Sequence, residues 1–249
     1  MSLLSKNLEN LKTASGYKFS ATKINDLGSA TYTLVTVAID ASGSVSSFAT
    51  QLENVLETIV LACQKSPQKD TLMFRIVQFS NNIKEIHGFK LLKNINSTDY
   101  KNSLQIGGST ALFDSFQEGL DSNLTYSTQL TDQDFLVNSL FIGITDGQDN
   151  MSGSTAGTIK KLINDSRTSE KLESLTTILV GVTSENDPTK LDQYLTNVKD
   201  NSGLDRYISI GDTSADKMAK LANFISQSIS STSSALGSGK ASQPVAFTI

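Results

Sequence analysis

The chain has little of what thiol and imidazole chemistry needs: among 249 residues there is one cysteine, Cys63, and one histidine, His87. A single cysteine can form no internal disulfide, and a free cysteine most often packs as a small hydrophobe. A nucleophilic role would require a basic partner. The only histidine lies in NNIKEIHGF, which reads as an exposed edge strand far from every serine-containing motif. Nor is there the cluster of cysteine and histidine ligands that zinc selects. Lysine- and arginine-rich runs are absent and the net charge is −4, so nothing marks a surface for the phosphate backbone of nucleic acid. No window approaches the ~20 apolar residues of a membrane helix. The start, MSLLSKNLENLKTASG, lacks an apolar stretch of signal-peptide length. These absences lead to the expectation of a cytoplasmic protein that binds neither nucleic acid nor membrane.

What is present is enough for one large α/β domain: 38% of the residues are hydrophobic and 18% charged. Continuous apolar runs read as buried parallel strands, and apolar residues three and four apart read as helices. YTLVTVAID (32–40) is a strand, and Phe48, Leu52, Val55, Leu56, Ile59, Val60 and Cys63 then share one helical face, with Ser46 or Ser47 expected as N-cap. TLMFRIVQFS (71–80) is a second strand, and NNIKEIHGF (81–89) follows too soon for a helical crossover, which implies an antiparallel hairpin at a sheet edge. In STALFDSFQEGL, Leu112, Phe113, Phe116 and Leu120 form the apolar face, with Asp114 and Glu118 on the solvated side. A polar loop is expected from about Ser122 to Asp134, before the strand FLVNSLFIGITD (135–146). Helix STAGTIKKLINDSRTSE, strand ESLTTILVGV (173–182), helix DPTKLDQYLTNV, strand DRYISI and helix SADKMAKLANFISQSI continue the alternation.

This alternation predicts a doubly wound, Rossmann-like α/β fold: a mostly parallel six-stranded sheet with one antiparallel edge strand and helices on both faces. The domain is expected over residues 32–232. Residues 1–31 form an N-terminal extension in which GYKFSATKI alternates well enough for an extra strand or arm. Residues 233–249 form a Ser/Gly-rich linker, within SSTSSALGSGKASQ, and an apolar C-terminal tail, PVAFTI.

In such sheets ligands sit beyond the carboxyl ends of the strands, where strand order reverses. Three loops there carry chemistry. VTVAIDASGSVSSF delivers Asp40, Ser42 and Ser44; IGGSTALFD places Thr110 behind two glycines; and DGQDN puts Asp146 at the tip of its strand. Together they pool two carboxylates and three hydroxyls with almost nothing basic. Hard oxygen donors suit Mg2+, with Mn2+ or Ca2+ as alternatives, rather than zinc. Five oxygens carrying two formal charges leave such an ion short of ligands and electropositive, so it recruits an anionic ligand from outside. Gly43 suits the tight turn, and Gly107 and Gly108 suit a close backbone approach.

Other readings explain less. Helix capping accounts for one of the five residues but not for Thr110 and Asp146 together. A metal-dependent phosphatase of the DxD type needs a second carboxylate as proton carrier, and Ser42 occupies that position. GGSTA (107–111) departs from the G-x-S-x-G elbow at Ala111, and GSGK (237–240) lacks the leading glycine and preceding strand of a phosphate loop. Asp149 is expected as a loop carboxylate rather than a ligand, and Asn150 as a turn residue.

Asp40-x-Ser42-x-Ser44, then Thr110, then Asp146 resembles the metal-ion-dependent adhesion site of von Willebrand factor A domains, including the inserted domains of integrins. The resemblance extends over roughly residues 32–230, in element order as well as in motif. It implies that Ser42, Ser44 and Thr110 ligate the metal through their hydroxyls, while Asp40 and Asp146 act directly or through bound water. It implies further that an Asp or Glu of a partner protein completes the coordination. The expected function is thus a non-enzymatic, metal-dependent protein-interaction module without a small-molecule substrate, working with an ATPase or in a multi-subunit assembly. The second expectation is a scaffold subunit whose metal site mainly stabilises the fold.

Overall fold

A computed structural model describes residues 7–182 and 188–238. Its strands are β1 (Leu8–Lys12), β2 (Lys18–Thr22), β3 (Thr31–Asp40), β4 (Leu72–Phe79), β5 (Ile83–Leu91), β6 (Leu136–Thr145), β7 (Ser174–Val182) and β8 (Arg206–Ile210). Its helices are α1 (Ala49–Gln64), α2 (Leu112–Thr131), α3 (Ala156–Thr168), α4 (Pro188–Ser202) and α5 (Ala215–Ser238). The strands form one sheet in the order β1-β2-β5-β4-β3-β6-β7-β8. Pairing is parallel from β4 through β3, β6 and β7 to β8, and antiparallel between β4 and β5 and between β1 and β2. Strand order therefore reverses at β3, which lies between β4 and β6 and supplies the crevice expected of a doubly wound sheet.

The central strand shows why the sheet is covered on both faces: every residue of β3 from Tyr32 to Asp40 is buried. Val35, Val37 and Ile39 face a core shared with α1 and α5. Ala38 faces a second core built with Phe116 and Leu120 of α2. Among the described residues no helix is long and apolar enough to cross a membrane.

The sheet has eight strands rather than six, because the N-terminal segment joins it. The β1–β2 hairpin lies against β5, so β5 is internal and β1 becomes the antiparallel edge. The joint is specific. The Glu85 carboxylate accepts hydrogen bonds from Ser20 N and Ser20 Oγ, and Thr22 Oγ1 donates to the Phe89 carbonyl. A Cβ on Gly88 would lie 2.0 Å from the Ser20 carbonyl oxygen, so β2 reaches this position only because residue 88 has no side chain.

Two expectations about buried polar groups are corrected as well. His87, read as exposed, is 8% exposed on a strand that is now internal to the sheet. Its Nδ1 faces the Gly88 carbonyl at 2.9 Å and its Nε2 faces the Tyr100 hydroxyl at 2.8 Å, which makes Nδ1 the donor and Nε2 the acceptor. Glu118, read as solvated, is buried against Arg75 of β4. Arg75 Nη1 and Nη2 donate to the two Glu118 oxygens at 3.0 and 2.5 Å, and Nε donates to Glu85 at 2.8 Å. Asp114 is half-buried and accepts from Gly153 N and Ser154 N.

Three boundaries also differ from expectation. The polar stretch after Leu120 is not a loop up to Asp134, since α2 runs to Thr131. Its inward residues are polar with polar partners: Asn123 accepts from Thr36 Oγ1 at 2.6 Å and donates to Ser139 Oγ at 2.7 Å, and Tyr126 donates to the Thr22 carbonyl. The Ser-rich segment beyond Ile229 is helical through Ser238, with Thr232 and Ser233 buried and the Thr232 carbonyl bonded by Asn138 Nδ2 at 2.7 Å. The PVAFTI tail lies outside the described residues. Finally, α1 begins at Ala49 behind a 3-10 turn over Gly43–Ser47, so Ser46 and Ser47 lie in that turn and neither caps the helix.

Candidate functional site

In-register pairing of β3 with β6, ending at Ile39 opposite Ile144, brings the tips Asp40 and Thr145 side by side. The loops beyond them are fastened to their neighbours by backbone bonds. Ala41 N donates to the Phe79 carbonyl and Gly107 N to the Ala41 carbonyl, both at 2.8 Å, and Gly43 N donates to the Gly108 carbonyl at 3.1 Å. Asn81 Oδ1 accepts from Ser109 N at 2.6 Å. Gly108 has φ +87°, and a Cβ there would lie 2.7 Å from Asn81 Oδ1, so both the turn and the close approach call for glycine.

On this frame the side chains converge. Asp40 is fully buried; its Oδ1 accepts from Ser42 N at 2.8 Å and its Oδ2 from Thr145 Oγ1 at 2.6 Å. Ser42 Oγ and Ser44 Oγ are 3.0 Å apart, and Ser44 Oγ donates to Asp146 Oδ1 at 2.8 Å. Asp146 Oδ2 is buried and has no hydrogen-bond partner. The Thr110 hydroxyl comes from the third loop to lie beside Gly147, 3.4 Å from where a Cβ would stand. The five residues singled out in the sequence thus collect at one place: four are joined by hydrogen bonds, and Thr110 stands against the residue that follows Asp146.

The electrostatics follow from this crowding. Burial raises the Asp40 carboxyl above its ordinary value against the opposing bonds from Thr145 and Ser42. Burial pushes Asp146 up to about 6, and the nearby Asp40 charge adds to the rise. Two carboxylates with incomplete solvation and an orphaned oxygen are the environment a hard cation relieves. The donor set of carboxylate and hydroxyl oxygens therefore fits Mg2+, Mn2+ or Ca2+. Among the described residues no group of three or more His, Cys, Asp or Glu side chains is placed to hold a metal, so a cation here would depend on the hydroxyls as well.

Three further residues position the site. Thr145 holds Asp40 and also accepts from Gly147 N at 3.1 Å, tying the two strand tips together. Asn150 does more than shape a turn: its Oδ1 accepts from Thr110 N at 2.9 Å and its own N donates to the Thr110 carbonyl at 3.0 Å. Asp149 is the loop carboxylate expected, and its Oδ1 accepts from Leu112 N and Ser152 N, both at 3.2 Å, so it caps α2 from another loop. Of the three, Thr145 was given no role in the sequence, where its signal is a polar residue ending an otherwise apolar strand beside Asp146.

A doubly wound sheet with serine, threonine and aspartate oxygens pooled at its switch point defines a class of α/β domains with an oxygen-lined site at the strand ends. The chain belongs to the von Willebrand factor type A domain family, whose model matches residues 35–223. No curated protein matches the sequence. Among solved structures it is similar to the D319A mutant of the PilB minor pilin from Streptococcus sanguinis, with TM-score 0.60 and 15% identity over 91% of this chain and 67% of that one. It is also similar to the pilus adhesin SpaC from Lactobacillus rhamnosus GG, with TM-score 0.55 and 12% identity over 90% of this chain and 34% of that one. A von Willebrand factor type A protein from Catenulispora acidiphila gives TM-score 0.52 and 16% identity over 87% of this chain and 44% of that one. At these identities the likeness is one of fold, and the chain spans about a third to two thirds of those proteins.

Proposed function

We propose that the chain is a divalent-metal-dependent protein-interaction module. Ser42, Ser44 and Thr110 would hold Mg2+ through their hydroxyls, with Asp40 and Asp146 contributing charge directly or through water, and Mn2+ or Ca2+ as alternatives. The bound cation would supply a Lewis-acid contact for an Asp or Glu carboxylate of a partner protein, in an ATPase or other multi-subunit assembly. The observation that carries this reading is the convergence of the five oxygen-bearing side chains at one place, with Asp146 Oδ2 buried and unpartnered.

The residues of this chain have separable tasks. Ser42 N and Thr145 Oγ1 orient the Asp40 carboxylate, Ser44 orients Asp146, and Asn150 fixes the loop that carries Thr110. Catalysis is not part of the proposal. The loop segments 41–48, 105–111 and 147–154 contain no histidine, lysine or arginine to move a proton, and His87 is buried against Tyr100. The scaffold reading is less favoured, because hydrogen bonds between protein groups already fasten these loops to one another.

Affinity capture from native extract with the wild-type chain and Asp146→Ala, each with Mg2+ or EDTA, tests the proposal. The expected result is a partner retained by the wild type in Mg2+ and lost in EDTA and in the variant, with circular dichroism unchanged. A partner set indifferent to EDTA refutes the mechanism, and a domain that melts on chelation with no partner lost supports the scaffold reading.

A further inference from the structure

The rim of this site is made of loops that touch one another: Gly43 bonds to Gly108, Ser109 to Asn81, and Asn150 to Thr110. The segments concerned, 41–48, 80–82, 105–111 and 147–154, contain no lysine, arginine or histidine, and a single acidic residue, Asp149. The Asp149 carboxylate is turned onto the N-terminus of α2 rather than offered to solvent contacts. What the rim exposes is uncharged: Ser44, Ser46, Asn81, Gln148 and Asn150 are polar, and Met151 adds one large apolar side chain. Lys84, the first basic residue after the 80–82 turn, has its ammonium on Gln105 Oε1 at 3.0 Å.

The charge balance has a consequence for the partner. A divalent cation against the two carboxylates of Asp40 and Asp146 gives a site of zero formal charge on a chain of net charge −4. Among the described residues of these segments a partner carboxylate meets no cation beyond the metal, and apart from Lys84 on Gln105 these loops add little long-range attraction. Resting on the metal-dependent reading above, we infer that this surface takes an isolated Asp or Glu set among uncharged hydrogen-bonding neighbours, and that a cluster of acidic residues gains nothing here. One carboxylate is used at the metal. Each additional one finds amide and hydroxyl dipoles and a like-signed protein field.

The test uses the full chain, 15N-labelled, in excess Mg2+, with two five-residue peptides as probes. One has a single aspartate among glycine and serine; the other has three consecutive aspartates. The backbone amides of Ser44 and Gly147 report binding. The expected result is saturable shifts with both peptides, abolished by EDTA. The triple-aspartate peptide should have an advantage no greater than the roughly threefold statistical one, and Kd should change less than about twofold between about 0.02 and 0.3 M salt, a range that shortens the screening length from above to below about 10 Å. In Gln148→Lys the triple-aspartate peptide should gain about threefold or more at low salt and lose the gain at high salt. The inference is overturned if the triple-aspartate peptide binds the wild type about tenfold tighter at low salt and loses that advantage at high salt, or if Gln148→Lys changes nothing. Shifts with neither peptide would overturn the carboxylate-binding reading itself and this inference with it.

Discussion

Thr145→Val probes the link between fold and site with little change of volume. The threonine hydroxyl donates to a fully buried carboxylate at 2.6 Å and accepts from Gly147 N at 3.1 Å. Valine keeps the shape and removes both contacts. A hydrogen bond to a charged group contributes about 1.5–3 kcal/mol, and an amide left without its acceptor adds up to about 1 kcal/mol when water cannot replace it. The expected loss of stability without metal is therefore about 2–3 kcal/mol, or roughly 4–12 °C in Tm for a domain of this size. Because Asp40 loses the group that orients it, Mg2+ affinity should also fall about tenfold, the scale seen when support to a metal ligand is removed. Urea unfolding in EDTA measures the first effect and isothermal titration with Mg2+ the second. Thr145→Ser retains the hydroxyl and should recover most of both. The reasoning is refuted if Thr145→Val unfolds within about 0.5 kcal/mol of wild type, or if the serine variant is as impaired as the valine one.

Three further outcomes are expected. Glu118→Gln leaves the buried Arg75 with one charged partner in place of two and should cost about 3 kcal/mol in urea unfolding, whereas replacing Arg75 and Glu118 together by apolar residues should cost much less than the sum of the single changes. His87 titrates at about 4 because burial disfavours its charged form, against about 6.5 when unfolded. Between these values the unfolded chain binds more protons, so this contribution is complete above about pH 6.5 and is lost as pH falls toward 4, by up to about 3 kcal/mol. The raised Asp146 works in the opposite sense, so the measurement is the difference in pH dependence between wild type and His87→Gln. Gly108→Ala forces a positive φ on a side chain and crowds Asn81, so a loss of about 1–2 kcal/mol and weaker Mg2+ binding are expected; Gly43→Ala, with its nearest neighbour at 3.7 Å, should be close to neutral by the same two assays.

The residues that gather at the site were legible in the sequence because each sits beside a strong local signal. Asp40 and Asp146 end apolar runs, and Thr110 follows Gly107-Gly108 at the start of an amphipathic segment. Given a doubly wound sheet, the common direction of parallel strands places those ends together, so local pattern and one topological rule sufficed. The helix boundaries were less legible wherever the inward face is polar. Ser122, Asn123 and Ser127 of α2 are as buried as leucines, and hydrophobic periodicity cannot register a buried hydroxyl or amide whose partners lie on another strand.

By itself, then, the sequence determined the alternation of strands and helices, the mostly parallel sheet and the five oxygen-bearing residues at its switch point, because these follow from the side-chain period and the handedness of the chain. Only the tertiary structure decided that the N-terminal hairpin extends the sheet past β5 and sets Phe19 against Arg75, that Arg75 pairs with Glu118, and that His87 is buried against Tyr100. It alone showed that Thr145, Asn150 and Asp149 hold the site in shape. Each of these depends on a polar group finding one partner far away in the chain, and such a pairing is settled by the distance and angle between two surfaces, which exist only once the chain has packed.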